Sequence, residues 1–236
     1  MRIDKFISDA GLATRKETAL AARRGLLLVD GVPERDTSRH IDPQKQKITF
    51  MGKTIEYRRF VYVMLNKPEG YVSATDDTRL PFVTELLPDD LRRRGLFPVG
   101  RLDRDTVGMM ILTDNGQLAH SLLSPKRHVK KEYDFDCAES LPSNAEEIFR
   151  RGITLADGYE CKSASLVCRP DRLGGVITLT EGKYHQIKRM IATFSNKVTR
   201  LERISFADIP LDSGLSRGDW RYLTEDEIKH LFEKAK

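Results

Sequence analysis

Gly100-Arg101-Leu102-Asp103-Arg104-Asp105-Thr106 is a tight polar segment placed just ahead of the apolar run Met109-Met110-Ile111-Leu112. The run has the length and character of a buried strand. The polar segment sets Asp103 between two arginines, and opposite charge close by favours an ionised carboxylate. An ionised Asp can serve as a nucleophile or a base. The same residues also suit a turn Asp bonded to its own backbone, so the rest of the chain has to decide.

Outward from this stretch the pattern is mixed α+β. Val61-Tyr62-Val63-Met64-Leu65 reads as another buried strand, ending in the turn Asn66-Lys67-Pro68-Glu69-Gly70-Tyr71. Further strands are expected at 132–136, 165–167, 176–180 and 197–204, and helices at 83–94, 117–123, 145–151 and 185–194. In the last of these Ile187, Met190, Ile191 and Phe194 share a face. Thr224-Glu225-Asp226-Glu227 has the form of a capping box opening a C-terminal helix.

The first sixty residues read as a separate module of helix, helix and short strands. A short helix ends at Gly11, and Thr14-Arg15-Lys16-Glu17 is a capping box for a second helix that stops at Gly25. Strands follow at 26–29 and 47–50, the first turning at Asp30-Gly31. The boundary is expected at 58/59, giving domains 1–58 and 59–236.

Charge separates the two parts. The 236-residue chain carries a net +5, yet residues 1–60 hold 13 Lys and Arg against 8 Asp and Glu, and residues 61–236 hold 27 of each. A surplus confined to one module suggests a polyanion partner, nucleic acid first, although a solvated basic face has the same composition. Arg15, Lys16, Arg23 and Arg24 lie on or at the ends of the second helix. With 39% hydrophobic and 32% charged residues the chain can bury a core. No apolar run approaches the ~20 residues needed to span a bilayer, so a cytoplasmic protein without membrane partners is expected. Three cysteines without a C-x-x-C pair argue against a disulfide framework or a zinc site.

In the first module, Arg2-x-Asp4-Lys5-Phe6, Gly11, Thr14-Arg15, Gly25, Val29-Asp30-Gly31 and Gly52 resemble the small RNA-binding domain named after small-subunit ribosomal protein S-four. Thr14 stands where Ser is commoner, a conservative change at a cap. In the second, five ordered segments resemble the small-subunit ribosomal RNA pseudouridine synthases, the RsuA family. They are Met64-Leu65-Asn66-Lys67-Pro68-x-Gly70-Tyr71-Val72, Gly100-Arg101-Leu102-Asp103-x-Asp105-Thr106-x-Gly108, Leu112-Thr113-Asp114-x-Gly116, Lys131-x-Tyr133, and Glu181-Gly182-x-Tyr184-His185-Gln186-Ile187-Lys188-Arg189-Met190.

The resemblance implies a mainly antiparallel synthase domain that isomerises uridine to pseudouridine without a cofactor or metal. It makes Asp103 the essential aspartate and Lys188 its salt-bridge partner, with Arg189 the alternative for that role. Tyr133 becomes the ring on which the flipped uracil stacks, and a candidate base for the C5 proton. Arg101, Lys67, Arg127, Lys130, Lys131, Tyr184, His185 and Arg189 become candidates for contact with the RNA, beside Arg15, Lys16, Arg23 and Arg24. The run from Tyr184 to Met190 points to 16S rRNA, free or in an assembling particle, and to an enzyme of the pseudouridine(516) type; with no long apolar surface stripe to suggest an obligate dimer, a monomer is expected. The alternatives are a 23S rRNA synthase of the same family and a non-catalytic RNA-binding assembly protein.

Overall fold

A computed structural model describes residues 1–236 and divides them into two compact units. The first comprises Met1–Val61 together with Leu87–Leu96, and the second Tyr62–Leu86 with Phe97–Lys236. The division falls three residues beyond the boundary expected from sequence. The return of the chain to the first unit at residue 87 was not anticipated.

In the first unit, helices α1 (Ile3–Asp9) and α2 (Arg15–Arg23) precede a four-stranded sheet of β1 (Leu27–Val29), β2 (Val32–Pro33), β3 (Ile48–Phe50) and β4 (Lys53–Ile55), in the order β2-β1-β3-β4. All of its pairs are antiparallel. Thr14 caps α2 as a full box: its hydroxyl accepts from the Glu17 N–H at 3.3 Å, and its own N–H donates to the Glu17 carboxylate at 2.7 Å. Ile3, Phe6, Ile7, Ala22, Leu27, Ile48 and Phe50 form the core. The segment that returns to this unit carries helix α3 (Asp89–Arg94). Gly11 packs so closely beneath it that a β-carbon would sit 1.9 Å from the Asp90 carbonyl oxygen. The helix expected over 83–94 is therefore two pieces. A single 3-10 turn, Val83–Leu86, ends before Pro88, whose extended backbone starts α3 afresh.

The second unit is built on one nine-stranded sheet. Its long strands are β5 (Tyr62–Lys67), β7 (Val107–Thr113), β8 (Lys131–Cys137), β10 (Gly174–Leu179) and β11 (Val198–Phe206), with β6 (Phe97–Pro98), β9 (Ser165–Cys168), β12 (Ile209–Pro210) and β13 (Trp220–Tyr222) shorter. The order is β13-β5-β7-β11-β8-β10-β9, with β6 on β7 and β12 on β11. Every pairing is antiparallel except β7 with β11, which run parallel through Val107 opposite Glu202 and Gly108 opposite Arg203. Gly108 makes this seam possible. Its φ is +98°, and a β-carbon there would lie 2.4 Å from the Arg203 carbonyl oxygen.

Helices α4 (Gly116–Leu123), α5 (Ala145–Arg151), α6 (Gln186–Ala192) and α7 (Glu225–Lys234) complete the unit. Ile187, Met190 and Ile191 of α6 are buried, and Phe194 stacks on Phe149 with ring centres 6.2 Å apart. Thr224 caps α7 with Glu227 in the expected box. The three cysteines are free, Cys137 and Cys161 buried and Cys168 partly so. Burial and the nearby Glu146 push the Cys168 thiol up to about 12. No helix is long and apolar enough to cross a membrane.

Candidate active site

Asp103 sits on the loop between β6 and β7, and the segment that follows β5 holds this loop in place. The Ser73 hydroxyl donates to the Leu102 carbonyl at 2.7 Å and accepts from the Leu102 N–H at 2.9 Å. The Gly70 N–H donates to the Arg104 carbonyl at 2.9 Å. Lys67, at the end of β5, is wholly buried, and its ammonium donates to the carbonyls of Pro68, Arg104 and Thr106 at 3.1, 3.2 and 2.8 Å. Burial pulls it down to about 8, against the pull of Asp105 and Asp103. The expectation that Lys67 touches RNA is thus corrected. The three carbonyls use all its protons, and it fastens the Asp103 loop instead.

Lys188 reaches this loop from the first turn of α6. Its ammonium stands 3.3 Å from Asp103 Oδ2, as expected, but its shorter bonds go to Asp105, at 2.6 and 2.8 Å. Burial works against the charge of Lys188, yet the hydrogen bond to Asp105 and the charges of Asp103 and Asp105 hold it above its ordinary value. Asp105 is pushed up by burial and pulled further down by Lys188, so it lies below the usual carboxylate range. Arg189 does not reach Asp103. It pairs with Asp157, and its guanidinium also meets the Tyr184 carbonyl.

His185 brings Nε2 to 3.6 Å from Asp103 Oδ1. It precedes α6 in the left-handed region, at φ 48°, and its ring stacks on Tyr184 with centres 3.8 Å apart. Tyr184 is 72% exposed. The turn leading into α6 is braced by buried Glu181. Its carboxylate accepts from the Tyr159 hydroxyl at 2.8 Å, the Lys162 N–H at 2.9 Å and the Gln186 amide at 2.6 Å.

These elements enclose a cleft of about 570 Å³ within the second unit, lined by Asp103, Tyr133, Lys188, Arg101, Lys131, Tyr184 and His185 among others. Tyr133 projects from β8 and is 9% exposed. Arg101 is exposed at the rim. Lys131 donates to the Val129 carbonyl at 2.9 Å, and burial draws it down to about 8. Arg127 and Lys130 are exposed but do not line the cleft, and neither does Arg189. Arg15, Lys16, Arg23 and Arg24 are all exposed on the first unit.

An aspartate, a lysine and an aromatic ring thus line one cleft, and comparison with known proteins gives the family. Residues 61–193 match the family described as RNA pseudouridylate synthase. This chain belongs to that family. An uncharacterised RNA pseudouridine synthase of Bacillus subtilis is 40% identical over 236 residues, 99% of each chain. Ribosomal small subunit pseudouridine synthase A of Vibrio parahaemolyticus is 37% identical, covering 98% of this chain and all of the relative. Its Escherichia coli counterpart is 34% identical over 97% of this chain and 98% of its own. A solved pseudouridylate synthase crystal structure superposes with a TM-score of 0.69 at 35% identity, covering 98% and 99% of the two chains.

Three features of this pseudouridylate synthase escaped the sequence reading: Asp105 as the tighter partner of Lys188, Ser73 as the clasp on Leu102, and Arg203 buried beside the cleft. Asp105 stood in the Gly100–Gly108 motif without a role, and Arg203 left a trace in the strand pattern. It falls on the buried register of β11 with Leu201 and Ser205, where strand alternation calls for an apolar residue.

Proposed function

We propose that this synthase isomerises one uridine of 16S rRNA to pseudouridine, as an enzyme of the pseudouridine(516) type, with Asp103 as the essential carboxylate. The observation that carries the reading is the meeting of Asp103, Lys188 and Tyr133 in one cleft. The small-subunit target is supported by the names of the relatives that match over nearly the whole chain.

In the reaction the C1′–N1 bond breaks, the uracil turns within the site, and C5 bonds to C1′. A proton leaves C5 and another is gained at N1, so nothing is added overall and no redox partner is required. The Lys188 ammonium, 3.3 Å from Asp103 Oδ2, sets a positive charge beside this carboxylate. Extrusion of the base from its stack brings the sugar to Asp103 and the ring to Tyr133. Stacking on an aromatic side chain is worth ~1–3 kcal/mol per base. The exposed basic side chains of α2 are assigned to the RNA phosphates, where they position the substrate without reading its sequence. We place the enzyme in the cytoplasm as a monomer.

The deciding experiment is chemical mapping of pseudouridine in 16S and 23S rRNA from a strain lacking the gene, complemented with wild type or Asp103→Asn. One 16S position is expected to be restored by wild type alone, with Asp103→Asn binding the transcript normally. Restoration in 23S rRNA, or by the Asn variant, overturns the target or the site.

A further inference from the structure

Tyr184 and His185 are neighbours in the chain whose rings lie face to face, with centres 3.8 Å apart and planes 19° from parallel. Adjacent residues of a regular helix or strand point their side chains apart. These two stack because His185 takes the left-handed conformation, at φ 48° and ψ 35°, which residues other than glycine seldom adopt. Such conformations persist where the surroundings hold them, and they gather at ligand sites. Here the bracing comes from both sides of the pair. The Lys183 N–H donates to the Gln186 side-chain oxygen at 2.9 Å, and the Gln186 amide donates to buried Glu181 at 2.6 Å. The Arg189 guanidinium donates to the Tyr184 carbonyl at 3.4 Å and is itself held by Asp157.

This bracing presents a bare ring. At 72% Tyr184 is the most exposed of the large apolar and aromatic side chains of the protein. One of its faces lies on His185, so the exposure belongs to the other face and the edge. The ring lines the same cleft as Asp103, and His185 Nε2 stands 3.6 Å from Asp103 Oδ1. The imidazole thus adjoins the carboxylate, and the phenol covers the imidazole at the mouth of the cleft. Tyr133, 9% exposed, belongs to the interior and is assigned to the uracil. The spacing of the two rings is close to the rise of about 3.4 Å between successive bases of a strand. Extruding a uridine unstacks it from its neighbours, so a base beside the target reaches the cleft short of a stacking partner. A phosphate is the poorer occupant, because the face of an aromatic ring is the negative end of its quadrupole. Every base, by contrast, has a π-face to offer.

We infer that the Tyr184–His185 pair is a stacking platform for a second nucleobase, that of a nucleotide adjoining the extruded uridine in the strand. This base lies on the open face of Tyr184 and lengthens the stack by one ring. The inference rests on the uridine isomerisation proposed above and adds a further base-binding position to that cleft. Stacking of this kind is sequence-tolerant, so the platform supplies affinity and holds the strand in place without choosing among bases.

The test pairs ring variants with abasic substrates. Short rRNA fragments around the mapped uridine would be made intact, abasic at the 5′ neighbour and abasic at the 3′ neighbour. Single-turnover pseudouridine formation over a range of enzyme concentrations gives a half-saturating concentration and a maximal rate for each. On the intact fragment Tyr184→Ala is expected to raise the half-saturating concentration about tenfold, the scale of one lost base–aromatic stack, with the maximal rate within about threefold. Tyr184→Phe, which keeps the ring, is expected to stay within about twofold of wild type, and the thermal midpoints of both variants to match it. On one of the two abasic fragments wild type is expected to lose the same about tenfold, and Tyr184→Ala to cost less than about twofold more. A Tyr184→Ala penalty undiminished on both abasic fragments overturns the inference, because the ring then serves the target uracil or the backbone. An equal loss in Tyr184→Phe, or no loss in Tyr184→Ala, overturns it too. Mapping to 23S rRNA changes the fragment and not the comparison. A wild type that modifies neither rRNA overturns the proposed function, and this inference with it.

Discussion

Lys188 divides its ammonium unequally, 2.6 and 2.8 Å from the Asp105 oxygens and 3.3 Å from Asp103. Asp105 therefore anchors the cation and leaves the Asp103 carboxylate less committed. In Asp105→Asn the ammonium is left to Asp103 alone, and the rate at neutral pH is expected to fall about tenfold, the equivalent of about 1.36 kcal/mol. The largest influence raising Lys188 disappears as well. The alkaline limb of the rate, where Lys188 loses its proton, is expected to move to lower pH in a single-turnover profile. Lys67 has a signature in stability instead. The unfolded chain keeps a lysine proton up to about 10.4, whereas folded Lys67 and Lys131 release theirs near about 8. The unfolded state thus binds more protons between these values, and stability rises with pH across that window. Urea midpoints at pH values on either side of the window are expected to show this rise, and to show less of it in Lys67→Met. That variant also frees the Asp103 loop from its three carbonyl bonds, so its activity is expected to drop with rRNA affinity unchanged.

Elements whose signals are local were the ones readable in advance. The α2 box joins Thr14 to Glu17 through bonds three residues apart, and Thr14→Ala is expected to cost about 1 kcal/mol in a denaturant titration. Helix α5 and the apolar β7 announced themselves by composition in the same way. Strands β6, β12 and β13 escaped because two or three residues become a strand only through a partner strand elsewhere in the chain. The 83–94 helix was overdrawn because its apolar periodicity runs through Pro88. In the site, Asp103, Tyr133 and Lys188 could be named because each belongs to a compact motif. The burial of Lys67 and the pairing of Arg203 with Tyr133 exist only once strands are in register, so no local pattern encodes them. Gly11 is a further test at this scale. With φ at 73° and the Asp90 carbonyl in the place of a β-carbon, Gly11→Ala is expected to lower the thermal midpoint more than Thr14→Ala does.

Over the whole molecule, the charge surplus belongs to residues 1–60, and the exposed basic side chains of α2 are its best-placed part. Replacing Arg15, Lys16, Arg23 and Arg24 by Gln is expected to weaken rRNA binding and flatten its salt dependence, by about 0.7–0.9 in log–log slope for each phosphate no longer neutralised. An unchanged slope in filter binding across a salt series would refute that role. Substitution is a cleaner test than truncation, because removing residues 1–60 leaves α3 without the unit it packs in. The parallel seam between β7 and β11 has a different kind of consequence. It joins Gly108 to Arg203 across almost a hundred residues of intervening chain, and such distant closures form late and slowly. Until that seam closes, the strand that follows the Asp103 loop and the strand that carries Arg203 are not in register. Recovered catalysis is therefore a stopwatch for the final act of folding, lagging behind the return of the circular dichroism signal.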